Sequence, residues 1–126
     1  RKLLTVAIIG SRKTEDFSIE NMISRIPQNA TELVSGGAEG VDAMAVQAAL
    51  MLGLPIQVFS PDYKIYGNMA PLVRDRRIVD AADLVLAFWD GHSRGTAYTL
   101  KYCIERRRPF RIYLFHSPDF SSPEFS

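Results

Sequence analysis

Apolar residues fall along this chain in two alternating rhythms. The segments LLTVAIIG (3–10), TELVSG (31–36), PIQVFS (55–60), DLVLAFW (83–89) and FRIYLF (110–115) are short and rich in β-branched or aromatic residues, as strands are. Around Val6–Ile9, Val58–Phe59 and Leu84–Phe88 they are nearly continuous in apolar character, which predicts strands covered on both faces. Helix-period segments lie between them. Ile19, Met22, Ile23 and Ile26 space as one helical face behind Ser18 as N-cap. Val41, Met44, Ala45, Ala48, Ala49 and Leu52 form a second face, with Gly53 and Pro55 as stop signals. Thr96 to Arg107 is a third helix, expected to turn Ala97, Leu100, Cys103 and Ile104 inward. Residues 66–82 read as a helix through Met69, Leu72, Val73, Arg76 and Val79.

Strands alternating with helices imply right-handed crossovers and an α/β fold: a doubly wound parallel sheet of about five strands with helices on both faces. One domain over 1–115 is expected, followed by an extended or disordered tail, HSPDFSSPEFS (116–126), with two Ser-Pro steps.

Composition narrows the partners. The chain has 126 residues, 47% hydrophobic and 23% charged, with a net charge of +1. Those values fit one globular domain with its own core. They give no global field that favours nucleic acid or an anionic membrane. A single cysteine, Cys103, excludes an internal disulfide and points to a reducing cytoplasm. No apolar run reaches the ~18–20 residues of a membrane span. His92 and His116 lack metal-ligand companions, and no Ser/His/Asp or Cys/His set is spaced for nucleophilic catalysis.

In open parallel sheets ligands bind beyond the carboxyl ends of the strands. The loops there are GSRKTEDF (10–17), SGGAEGVD (35–42), SPDYKIYGNMAP (60–71) and DGHSRGTAYT (90–99). Each carries glycine with hydroxyl or charged residues, and all four converge on one sheet edge. Gly36, Gly37 and Gly40 allow positive φ and close backbone approach, and a helix entrance offers free amides and a positive dipole end. That suits a phosphate or a ribose hydroxyl. Asp42 either caps the following helix or accepts ribose hydroxyls. Ser93, Gly95 and Thr96 repeat the logic at the fourth loop, where Thr96 and Ser93 also fit plain cap and turn roles. The Gly-Lys-Ser/Thr of a Walker A loop is missing. Arg12 and Arg74 supply guanidinium forks near the same rim. Tyr66 and Trp89 are candidates for stacking a base, Trp89 equally for the core.

The segments AIIGSR, LVSGGAEGVDAMAVQAAL and FSPDYKIYGNMAPLVRDRRIVDAADLVLAFWDGHSRGTAYTL resemble the Rossmann-like SLOG superfamily. It takes its name from the DNA-processing (Smf/DprA) proteins and the Lonely Guy enzymes. The small YspA/YpsA-related subgroup is the most similar. The resemblance runs from about residue 5 to residue 110 and implies a nucleotide or an ADP-ribose-like ligand, without a required cofactor, in the crevice between the loops. Lonely Guy enzymes cleave the N-glycosidic bond of nucleoside monophosphates with an arginine and a glutamate. Arg74 matches the arginine and Gly95–Thr96 the Gly-Thr of their motif, but Thr99 stands at the glutamate position. A threonine cannot do a carboxylate's work there, so the activity of a phosphoribohydrolase is an alternative and not the main expectation. The DNA-processing proteins share the SGGAxGxDxxA loop, here Ser35 to Ala45, and bind single-stranded DNA, commonly as dimers.

The favoured expectation is a cytoplasmic homodimer that binds a phosphate- and ribose-bearing small ligand. Gly10, Ser11 and Arg12 form one wall; Ser35, Gly36, Gly37, Gly40 and Asp42 meet ribose or phosphate. Gly91, Ser93, Gly95 and Thr96 cradle phosphate with Arg74 as counter-charge, and Tyr66 stacks a base. A nucleic-acid strand is the less favoured partner, because no basic stripe with interleaved aromatics is evident and Arg106–Arg108 end a helix opposite the ligand edge.

Overall fold

A computed structural model of the chain describes residues 3–115; the expected tail at 116–126 lies outside the described residues. The elements follow in the order β1 (Leu4–Gly10), α1 (Ile19–Arg25), β2 (Ala30–Ser35), α2 (Val41–Leu52), β3 (Ile56–Val58), α3 (Tyr63–Tyr66), a 3-10 turn (Gly67–Met69), α4 (Ala70–Ala81), β4 (Leu84–Trp89), α5 (Arg94–Arg106) and β5 (Phe110–Leu114). The five strands form one sheet in the order β3-β2-β1-β4-β5, and every pairing is parallel. This is the Rossmann-like doubly wound arrangement that the alternation of elements predicts.

Alternation within the central strands decides which helix covers which face. Val6, Ile8, Leu33, Leu86 and Phe88 point to the side of α1 and α2, where they meet Met22, Val41, Ala45 and Ala48. Ala7, Ile9, Val34, Val85 and Ala87 point to the other side, against Ile78 and Val79 of α4 and Leu100 and Cys103 of α5. Small strand residues on the second face let α4 and α5 approach closely. Burial explains the near-continuous apolar character of β1 and β4, as strands enclosed on both faces require.

Local signals set the ends. Ser18 caps α1, its Oγ accepting from the Asn21 amide at 3.1 Å, and Gly53 closes α2 in the left-handed region at φ 69. Three expectations are corrected. β3 is a three-residue edge strand, so Val58 is 42% exposed and not enclosed. Leu52, in the last turn of α2, is 40% exposed. The inward face of α5 is Thr96, Thr99, Leu100 and Cys103, which leaves Ala97 exposed and Ile104 64% exposed. Two threonines in that face break its apolar periodicity.

Candidate functional site

β1 and β4 are neighbours in the sheet, and their helices leave to opposite faces: α1 to one, α5 to the other. Loops that diverge at a strand-order reversal open a crevice at the carboxyl edge. Here the crevice measures about 550 Å³, the size range of small-ligand sites. The structure brings Gly10, Ser11, Arg12, Asp42, Arg74, Ser93, Gly95 and Thr96 to its walls, together with Lys13, Asp75, Asp90, Arg94 and Thr99. Ser35, Gly36, Gly37, Gly40, Tyr66 and Gly91 are not among the lining residues.

Several of those glycines have a backbone reason. A Cβ on Gly10 would lie 2.1 Å from the Phe88 carbonyl oxygen, and one on Gly40 would lie 2.3 Å from that of Arg12. The first loop therefore passes directly beneath the entrance of α2, and the Val41 amide donates to the Ser11 carbonyl at 3.0 Å. Gly40 takes φ 74, and Gly37, at φ 72, leaves no room for a Cβ beside Val58. Close crossing of two loops pairs the first amide of the α2 entrance, while the Asp42 and Ala43 amides meet no acceptor among the described residues.

Acidic groups reinforce the difference. Asp42, in the first turn of α2, accepts from the Ala38 amide at 3.1 Å and ties the loop back on itself. Burial pushes its carboxyl up, against the lowering pull of that amide, Arg74 and the Ser35 hydroxyl. The buried Ser35 Oγ nevertheless reaches no partner at hydrogen-bond distance, so its influence on Asp42 is weak and long-range. Arg74 is fixed on the same wall. Its Nε donates to Asp75 at 2.7 Å and its Nη1 to the Gly36 carbonyl at 2.8 Å. Asp75 is pushed up by burial despite the Arg74 charge, its hydrogen bond, and Thr99.

The α5 entrance is built otherwise. Ser93 stands at the cap position, but its side chain makes no cap bond. Its Oγ donates to the Asp90 carboxylate at 3.0 Å and lies 3.1 Å from Ser11 Oγ. Ser11 Oγ in turn accepts from the Asp90 amide at 3.0 Å. This small network stitches the β1 loop to the β4 loop. Burial alone would raise Asp90, but the His92 and Ser93 amides, with the Ser93 and Ser11 hydroxyls, hold its carboxyl at about 2. Among the described residues the amides of Arg94, Gly95 and Thr96 meet no protein acceptor. Three unpaired donors at a helix amino end, with no acidic residue in the first turn, form an anion seat. Arg12, Lys13 and Arg94 line the same crevice, exposed and without an ion pair among the described residues.

Other candidates fall elsewhere. Tyr66 sits on α3, 43% exposed and away from the crevice. Trp89 packs against the α4–α5 core and donates from Nε1 to the Ser93 carbonyl at 3.0 Å, so it holds the α5 entrance in place. Thr99 is buried and its hydroxyl donates to the Gly95 carbonyl at 2.9 Å. Cys103 is buried, its thiol pushed up to about 11 by burial. The described residues hold no group of three or more His, Cys, Asp or Glu that could bind a metal, and no helix long and apolar enough to cross a membrane. Sequence reasoning missed Lys13 and Arg94, which carry no motif; their adjacency to Arg12 and Ser93 was the available signal.

Comparison with known proteins agrees with this architecture. Residues 1–66, just over half of the chain, match the family model of DNA recombination-mediator protein A. No curated protein matches the chain. Among solved structures, DNA processing protein A from Helicobacter pylori, described with a single-stranded DNA binding mode, superposes with a TM-score of 0.69 at 23% identity, over 86% of this chain and 64% of that one. DNA processing protein A from Streptococcus pneumoniae superposes with a TM-score of 0.71 at 20% identity, over 87% of this chain and 50% of that one. The chain thus spans between half and two thirds of those structures, and at such identities the likeness is one of fold. With the family match covering the β1 to α3 half and the sheet completing the same fold, the chain belongs to the DNA recombination-mediator protein A family.

Proposed function

We propose that the chain binds single-stranded nucleic acid at the carboxyl edge of its sheet, seating one backbone phosphate on the first turn of α5. One observation carries this reading: the unpaired amides of Arg94, Gly95 and Thr96 open into a crevice lined by Arg12, Lys13 and Arg94. Amide donors hold the anion without regard to base, and the exposed cations attract the flanking phosphates. The single-stranded DNA binding mode described for the Helicobacter pylori protein supports a strand as the partner. Asp42 and Asp75 sit on the opposite wall, beside Arg74, and favour a hydrogen-bonded sugar or base over a second phosphate there.

A free phosphorylated nucleoside is the second reading. The crevice volume of about 550 Å³ suits one nucleotide. The two readings share the phosphate seat and differ in what extends from it.

Gly95 tests the seat. A side chain at Gly95 meets no neighbour within 4 Å, and an acidic residue in a first turn suits the helix dipole. Gly95→Asp is therefore expected to fold normally while placing a carboxylate where phosphate belongs. Binding of a fluorescent oligothymidine should fall at least a hundredfold in Gly95→Asp and persist in Gly95→Ala. Equal affinity of both variants would refute the seat. Competition by a mononucleotide as strong as by the oligonucleotide would favour the second reading.

A further inference from the structure

Outside the crevice, a row of side chains continues along α5 from Arg94. Along α5, Tyr98, Tyr102 and Arg106 follow Arg94 at four-residue steps, so the four side chains line up along the helix. Arg76 from α4 lies across this row: its Nε is 2.7 Å from the Tyr98 hydroxyl, which accepts its proton. Its guanidinium carbon is 5.7 Å from the Tyr98 ring centroid and 5.9 Å from that of Tyr102. Arg106 stands over Tyr102 at 6.0 Å and pairs with Asp80 at 3.3 Å. The Tyr102 hydroxyl donates to the same Asp80 at 3.0 Å.

Tyr102 packs partly against the α4–α5 core, but core packing does not account for the arginines around the two rings. α5 buries Thr96, Thr99, Leu100 and Cys103, whereas Arg76, Arg94 and Arg106 are exposed and both tyrosines are half-buried. Of the three arginines, Arg106 alone has an ion pair among the described residues, with Asp80. Cations interleaved with aromatic rings, continuous with a phosphate seat, are what a single strand of nucleic acid needs: phosphates meet guanidinium groups and bases stack on rings without sequence preference. Arg94 belongs to both the crevice and the row, so the two surfaces are contiguous. Over the 13 residues of α5 the path runs about 18 Å from Arg94 to Arg106.

We propose that the Arg94–Tyr98–Tyr102–Arg106 row, with Arg76 across it, is a track for single-stranded nucleic acid leaving the crevice. Bases stack on Tyr98 and Tyr102, and backbone phosphates meet Arg94, Arg76 and Arg106. The proposal rests on the strand reading of the crevice and extends it from one phosphate to a directed path down α5.

Fluorescence anisotropy with oligothymidines of about 4 and about 16 nucleotides tests it. The short strand fills the crevice alone; the long one reaches the row. Tyr98→Ala with Tyr102→Ala should weaken the long strand about tenfold per tyrosine and leave the short strand unchanged, while Tyr→Phe at both positions retains long-strand affinity. Arg106→Gln changes an exposed side chain and cannot unfold the core. It should make the log–log salt slope for the long strand shallower by about 0.7, with no change for the short one. Long-strand affinity and slope unaffected by these substitutions would overturn the track and leave the crevice reading standing. Long-strand binding that depends on the tyrosines but survives Gly95→Asp would overturn the crevice reading and leave the track. No binding of either strand to the wild-type chain would overturn both.

Discussion

Two glycines in similar loops differ in what a side chain there would meet. Gly10 and Gly95 both stand in glycine-bearing loops beside the crevice, yet a Cβ on Gly10 collides with the Phe88 carbonyl whereas one on Gly95 meets nothing. Gly10→Ala is therefore expected to cost about 3 kcal/mol or more through backbone displacement. Gly95→Ala should be neutral or stabilising by up to about 1 kcal/mol, since alanine is the better helix former. Thermal or urea unfolding of both variants measures the contrast; equal costs would contradict it. Asp90 gives a second test at this scale. Its carboxyl is lowered to about 2, below the unfolded value near ~3.9. The ionised form thus stabilises the fold above that unfolded value, and the contribution is lost as pH falls through the folded value. Relative to Asp90→Asn the wild type should gain about 1 kcal/mol at pH 7, after allowance for solvent screening, with the difference vanishing between about pH 4 and pH 2. A difference that is constant with pH would show that the loop network does not depend on the charge.

Among the elements, the two ends of α5 differ most. The amino end lacks a side-chain cap and leaves its amides free for a ligand. The carboxyl end is closed: Arg107 adopts φ 56 and its amide donates to the Ile104 carbonyl, while the Arg108 amide donates to that of Cys103. Left-handed backbone favours glycine at such a position. Arg107→Gly is expected to raise stability by about 1 kcal/mol without altering strand affinity, because Arg107 lies outside the proposed row. Destabilisation would mean that the arginine side chain, not its backbone, matters there. The elements themselves were legible in the sequence because β1, β4 and α2 obey simple rules: continuous apolar runs for enclosed strands, alanine spacing and a terminal glycine for the helix. Less legible was α5, where Thr96 and Thr99 take core positions and Tyr98 and Tyr102 lie beside them. A pattern that counts only apolar residues turns that helix by one position and hides the aromatic row.

For the whole molecule, net charge says little about the distribution of charges. A sum of +1 argues against nucleic acid only if charges are spread evenly. Folding brings Arg12, Lys13 and Arg94 to the lining of one crevice and sets Arg76 and Arg106 along the helix beyond it, which no total can reveal. The convergence of loops at the carboxyl edge was readable, because parallel topology dictates it. Which of two glycine-bearing helix entrances carries more internal bonds and an acidic first turn was not. That difference arises from the Ser11 carbonyl reaching Val41 and the Asp42 carboxylate reaching Ala38, contacts between residues far apart or ambiguous in sequence. With three exposed cations at the seat, binding of a short strand should show a log–log salt slope of about −2. A slope near zero would contradict phosphate recognition.

The most direct measurement of the central claim is the backbone amide spectrum of the isotope-labelled chain titrated with a short oligothymidine. The account predicts that the amide resonances of Arg94, Gly95 and Thr96 shift most and become protected from exchange, while those of Val41 and Asp42 at the α2 entrance move little. Largest shifts and protection at the α2 entrance, with the α5 amides unchanged, would contradict it.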